Sequence, residues 1–262
     1  MLLQGGRVKF NDVQINSVAE LITTLKTHAA ETSGEARWFR GQENSTWQLT
    51  PSISRNEGDP LKREYENLKR FRQMAPRFID LQPRDEWEWL FLMQHYAVKT
   101  RLLDWTESPL VALYFAVLKG AEDNSDAALW VILPAALNKL TGWEELQSKA
   151  GIPFFGMDKQ LEAYLTSNVV NTPAGSGSGP IAAVAPRTSA RIAAQLGVFT
   201  VFHADFSPLE LIGDESHIWR YVIPSASKQR IREELAVLQM NEFALFPELD
   251  KLGGMVSAGG VA

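Results

Sequence analysis

The chain contains no cysteine. That excludes disulfides and thiolate zinc sites, and it suits a reducing compartment, so the expected location is the cytoplasm. No apolar run approaches the roughly 18 to 20 residues that cross a bilayer. The opening Met1-Leu2-Leu3-Gln4-Gly5-Gly6 has no basic region followed by an apolar one, so no membrane partner is expected. A phosphate-binding Gly-rich loop, a hydrolase elbow and a helical His-Glu-x-x-His pattern are all missing. His203 and His217 have no ligand spacing with a nearby acid cluster, so no metal is expected. Positive charge is in short supply as well: 26 Lys and Arg face 31 Asp and Glu, a net of -5 over 262 residues. This argues against a broad basic surface that would grip nucleic acid regardless of sequence, while leaving room for a local basic groove.

What is present reads as a mixed α and β chain with 45% apolar residues, enough to bury a substantial core. Ser17 with Glu20 forms a capping-box pattern ahead of Val18, Leu21, Ile22 and Leu25, which predicts a helix over 17–30. Residues 36–40 read as a short strand stopped by Gly41, which places Arg40 at a strand end. Residues 61–78 and 84–96 read as amphipathic helices packed on a core. Ser108 and Pro109 begin a buried apolar helix, and 127–133 is a continuous apolar strand halted by Pro134. The Gly- and Ser-rich stretch 171–179 reads as a mobile loop or lid. A short helix over 189–195, strands over 197–202 and 218–223, a helix over 225–238 and one amphipathic piece over 241–252 complete the reading, with 253–262 a frayed tail.

One segment reads as a site. Residues 94–116 crowd His95, Arg101, Asp104 and Thr106 beside Trp105 at the mouth of an apolar helix, where neither a turn nor a core helix needs them. Plainer roles stand beside the functional ones. Arg40 could pair with Asp104 or Glu43 in a buried network, Arg101 and Asp104 could be a local ion pair, and His95 could be a hydrogen-bonded structural residue. Trp105 could plug the core, and Trp87, Trp89, Phe91 and Met93 read as packing.

Four groups of residues resemble the FRG domain, a family named for a Phe-Arg-Gly motif. They are Trp38-Phe39-Arg40-Gly41-Gln42; Gln94-His95-Tyr96 leading to Thr100-Arg101-Leu102-Leu103-Asp104-Trp105-Thr106; Arg191-Ile192 with Gln195-x-Gly197-x-Phe199; and Leu245-Phe246-Pro247-Glu248-Leu249-Asp250. The resemblance implies one FRG-type domain, with a core over about 36–252. Where the family has Gly-x-Pro after the His-Tyr pair, this chain has Ala97-Val98-Lys99.

A weaker resemblance links Arg40-Gly41, then Thr106 leading to Val111-Ala112-Leu113-Tyr114-Phe115-Ala116, then Gln195-Leu196-Gly197, to arginine-type ADP-ribosyltransferases. It implies an α+β fold with a small, mostly antiparallel split sheet flanked by helices, and a cleft that binds NAD. Arg40 would clamp phosphate or the nicotinamide side, and Thr106 with Trp105 or Tyr96 would orient ribose and ring. Gly41, Gln42, His95, Thr100, Arg101 and Arg191 would join the binding set. The family's catalytic Glu is replaced here by Gln195, which cannot supply negative charge, so Asp104, Glu242 or Glu248 would have to. The target would be a macromolecule, in the setting of a toxin or an antiphage system. The competing expectation is a non-catalytic module that reads a nucleic-acid end or a protein segment through the same cleft.

Overall fold

The computed structural model describes residues 10–257 and 259, apart from 33, 56, 119–123, 144–150, 174–176, 215 and 258. The elements in chain order begin with β1 (Val13–Gln14), α1 (Val18–Glu31), β2 (Trp38–Gln42), α2 (Pro60–Met74), α3 (Glu86–His95), β3 (Leu102–Thr106) and α4 (Pro109–Ala116). Then come β4 (Ala127–Ile132), α5 (Pro134–Leu140), α6 (Thr166–Val169), β5 (Ile181–Ala183), α7 (Ala190–Ala194), β6 (Gly197–Val201), β7 (Ile218–Ile223), α8 (Lys228–Val237), α9 (Glu242–Leu245) and α10 (Leu249–Ser257).

The strands form one seven-stranded sheet in the order β1-β7-β4-β2-β3-β6-β5. Only β1 runs parallel to its neighbour; all other pairs are antiparallel. The α+β, mostly antiparallel expectation therefore holds, in a sheet wider than a small one. The middle of the sheet is its weakest seam. β2 pairs with β4 at five positions and β3 with β6 at five, but β2 and β3 share only Phe39 opposite Thr106. From that pair the C-terminal end of β2 and the N-terminal start of β3 part, and the sheet splits.

Pleat alternation assigns the packing. Phe39, Leu129, Val131 and Tyr221 face α1, α4 and α8 on one half of the sheet. On the same face of the other half, Leu102, Phe199, Val201 and Ile181 meet the aromatic side of α3. The opposite face collects Trp38, Leu103, Trp105, Trp130 and Val198. Because both faces are covered, β4 and β6 are buried along their whole length, which explains their unbroken apolar sequences.

Local signals account for most element ends. Ser17 Oγ accepts from Glu20 N at 3.1 Å, while the Glu20 carboxylate accepts from Asn16 N, one residue before the usual capping-box donor. Ser108 Oγ caps α4 through Val111 N, with Pro109 at its first position. α3 ends in a Schellman turn, in which Val98 N donates to Met93 O at 2.9 Å and Ala97 N to Gln94 O at 3.0 Å, with Ala97 at φ 60°.

Several expectations need correction. Arg40 is the third residue of a five-residue strand, not its end. Gly41 extends the strand because a Cβ there would lie 1.9 Å from Ala112 O, so only glycine lets α4 approach β2 so closely. Within the polar segment read as a site, residues 102–106 are a strand whose neighbours Leu103 and Trp105 bury on one face and Leu102 on the other. The piece expected over 241–252 is two helices, since Pro247 disfavours helical geometry at Phe246, which sits at φ -128°, ψ 76°. The expected tail is partly helical, as α10 runs to Ser257. In the 171–179 stretch, 174–176 lie outside the described residues.

Candidate functional site

The split opens into a cleft of about 980 Å³. Its floor is the parted strand pair. α4 forms one wall through Val111, Ala112 and Phe115; the C-terminal end of α3 and α7 form the other; Trp47, Arg55 and residues 81–84 complete the rim.

Arg40 occupies the seam. In place of the missing ladder bond its Nη1 donates to Asp104 O at 2.6 Å, and the same nitrogen lies 3.9 Å from the Asp104 carboxylate. Its Nε is buried with no hydrogen-bond partner. Burial pulls the Arg40 pKa below the ordinary guanidinium value; Asp104 opposes this and Arg55, which also lines the cleft, adds to it. A guanidinium does not give up its proton at ordinary pH, so the cleft holds a cation with spare donor capacity next to a second cation. That arrangement suits an anion.

Asp104 is held from the other side. Gln94 Nε2 donates to Asp104 Oδ1 at 2.7 Å, and Thr100 Oγ1 in turn donates to Gln94 Oε1. The Asp104 side chain is nonetheless 60% exposed, leaving its carboxylate open to the cleft. A second cluster lies at the α7 side. His95 Nε2 is 3.5 Å from Glu248 Oε1, Arg191 Nη1 is 3.9 Å from the same oxygen, and the Arg191 guanidinium lies 4.6 Å from the Phe246 ring centre. Burial lowers the His95 pKa, Arg191 lowers it further, and Glu248 opposes both. Neutral imidazole is thus favoured near pH 7. Gln195 Nε2 donates to Leu245 O at 3.0 Å, and Phe246 meets Phe115 edge-on, so residues 245–248 strap the cleft rim.

The cleft brings together Arg40, Gly41, Gln42, His95, Tyr96, Asp104, Trp105, Thr106, Arg191 and Gln195. Several of these have their polar atoms already engaged. Thr106 Oγ1 donates to Gln195 O and accepts from Ser108 N; Gln42 Oε1 accepts from Trp130 Nε1. Trp105 packs its ring among the core of the opposite face and donates from Nε1 to Thr200 Oγ1, so it does not offer a stacking surface.

Thr100 and Arg101 are not on the cleft. Arg101 is 1% exposed and pairs through Nε with Glu64 Oε2 at 2.6 Å, while its backbone N reaches Glu64 Oε1. Its remaining nitrogens donate to Phe202 O and Tyr164 O. The ligand role and the local Arg101–Asp104 pair are both set aside by this network. Glu64 had a signal in the sequence, since it shares the apolar stripe Leu61 and Leu68 of α2. Trp47, Arg55 and Leu81–Arg84 had none, because folding alone carries them to the rim. Among the described residues no group of three or more His, Asp or Glu is arranged to hold a metal ion, and no helix is long and apolar enough to cross a membrane.

The family model of the FRG domain matches residues 35–125, which hold the first two of the four motif groups; the other two, at 191–199 and 245–250, lie beyond the matched range. No curated protein and no solved structure matches the chain.

Proposed function

For this FRG-domain chain we propose that the cleft binds a nucleotide, NAD, and that the protein acts as an ADP-ribosyltransferase-like enzyme on a macromolecular target. The observation that carries the reading is Arg40: a largely buried guanidinium in the sheet split, with an unpartnered Nε and Arg55 nearby. A diphosphate supplies the negative charge and acceptor oxygens that such a pair lacks. The exposed rings of Tyr96 and Trp47 on the rim offer faces for base or nicotinamide. In the transfer, the bond between the ribose C1′ and the nicotinamide nitrogen breaks with its electron pair going to nicotinamide, and C1′ bonds to a nucleophile of the target. Asp104 is a carboxylate open to the cleft, able to stabilise positive charge growing at C1′. His95, with its lowered pKa, is the base suited to take the nucleophile's proton.

Calorimetry tests the binding step. Wild type should bind NAD, and an Arg40→Ala variant with an unchanged melting profile should lose most of that binding. No heat from wild type, or equal binding by both, removes the proposal.

One observation favours a second reading. The weaker sequence resemblance sets Gln195 against the transferase acid, and the Gln195 amide is committed to Leu245 O. A cleft built to recognise a ligand without reacting would tolerate that. Nicotinamide release separates the two, since a recognition module releases none whatever acceptor is offered.

A further inference from the structure

Between residues 61 and 84 the chain carries seven Lys and Arg; Lys62, Lys69 and Arg84 are paired with Asp59, Glu66 and Glu88. One acid of the stretch, Glu64, is fully buried against Arg101 and contributes nothing to the surface. Arg70, Arg72 and Arg77 are exposed and have no carboxylate partner among the described residues. Arg72 instead lies 5.7 Å from the Trp89 ring and Arg77 4.6 Å from the Phe78 ring. The apolar side of α2 is used by the core through Leu61 and Leu68. Its outward side, continued by the 3-10 turn Ala75–Phe78, shows Arg70, Met74, Arg77 and Phe78 at helical spacing, with Met74 58% and Phe78 71% exposed. Past Asp80 the stripe continues through Leu81 to Arg84, whose guanidinium is paired with Glu88, and residues 81–84 are themselves rim of the cleft.

We infer that this stripe is a docking track for single-stranded nucleic acid, which it guides toward the cleft. Guanidinium groups alternate with apolar and aromatic side chains, as a strand alternates phosphate with base. The stripe's unpaired charge is that of Arg70, Arg72 and Arg77 alone, so binding is confined to one path rather than spread over an acidic surface. The track also turns inward, past Arg84 to Trp47, Tyr96 and Arg55 of the cleft, and a flexible strand can follow that concave route where a flat bilayer cannot. The inference rests on the proposed function only in making the strand's end the macromolecule presented to bound NAD; the docking itself stands apart from it.

Fluorescence anisotropy with labelled single strands of about 12 nucleotides, one RNA and one DNA, tests it. Wild type should bind at least one, with affinity that falls as salt rises. Arg70→Glu with Arg77→Glu should weaken binding about tenfold or more and flatten the salt slope by about 1.4, since two phosphate contacts are lost at roughly 0.7 each. Phe78→Ala should cost about fivefold or more through lost stacking. Tighter binding of either RNA or DNA supports the inference and identifies the sugar. The double variant should still bind NAD, and Arg40→Ala should still bind the oligonucleotide, so failure of the track and failure of the NAD reading are told apart. No binding of either strand, equal affinity of wild type and double variant, or sedimentation with phosphatidylserine vesicles that the double variant loses while oligonucleotides go unbound, would each overturn it.

Discussion

Removing the Glu64 carboxylate should unfold a large fraction of this protein's stability margin. Glu64 and Arg101 are 0% and 1% exposed, and the carboxylate accepts three hydrogen bonds: from Arg101 N, from Arg101 Nε, and from Thr166 Oγ1 at 2.8 Å. In Glu64→Ala the guanidinium keeps its bonds to Phe202 O and Tyr164 O but loses its counter-charge in a site closed to water. Stranding one partner of a buried pair costs about 3–5 kcal/mol, against a total of about 5–15 kcal/mol for a typical domain. With a urea slope of about 3 kcal/mol per molar, the unfolding midpoint should fall by about 1 M or more. The cycle is completed by Arg101→Met and the double variant. Because the double variant leaves no naked charge, it should be more stable than the sum of the two losses implies, by about 2 kcal/mol or more. It should not regain wild-type stability, since the carbonyls of Phe202 and Tyr164 lose their donor. A loss below about 1 kcal/mol for Glu64→Ala, or a cycle that is simply additive, refutes the assignment of Arg101 to the frame of the fold rather than to its ligand.

Gly41→Ala forces a methyl to within 1.9 Å of Ala112 O and 2.5 Å of Ala116 N, so α4 must move off β2; a loss of about 3 kcal/mol is expected, and an unchanged melting temperature would contradict the close approach. Ala97→Gly acts in the other direction: relieving the left-handed strain of about 1–2 kcal/mol, less about 0.5–1 for the added chain freedom of glycine, leaves a gain of about 0 to 1.5 kcal/mol by denaturant titration, and a destabilised variant refutes the turn geometry. Burial lowers the pKa of His28, His95 and His203 in the fold. The unfolded chain therefore binds these protons first. Stability from the three is full above an unfolded pKa of about 6.5, and it declines as pH falls through that value toward each lowered folded pKa. The melting temperature should drop between pH 7.5 and 5.5, and a flat or rising profile would count against the burial of these rings.

Much of the fold was legible because its signals are local. The Ser108-Pro109 start, the unbroken 127–132 run and the 218–223 strand depend on near neighbours and on burial from both faces, so composition reveals them. What failed depended on distant partners. Gly41 looked like a stop from its neighbours alone, yet the reason for glycine is a helix backbone some seventy residues later in the chain. Asp104 hid the strand at 102–106, because an acid inside a covered strand makes sense only where the sheet has parted beneath it. Arg101 looked as chemical as Arg40, and only Glu64, thirty-seven residues earlier, separates the two.

The contrast between those two arginines shows what selects a site residue. Each substitutes for backbone hydrogen bonding, Arg101 on the carbonyls of Phe202 and Tyr164 and Arg40 on that of Asp104. Arg101 meets a buried carboxylate at 2.6 Å and fills its donors, so its charge is neutralised and its role is complete within the fold. Arg40 meets its acid at 3.9 Å, and that acid is turned toward solvent and shared with Gln94. A buried cation left with an unpartnered donor is costly in the empty protein, and an anion entering the cleft would relieve that cost on binding. The incomplete pairing of Arg40, more than its position in a recognisable motif, is what makes the split between β2 and β3 the place to look for a ligand.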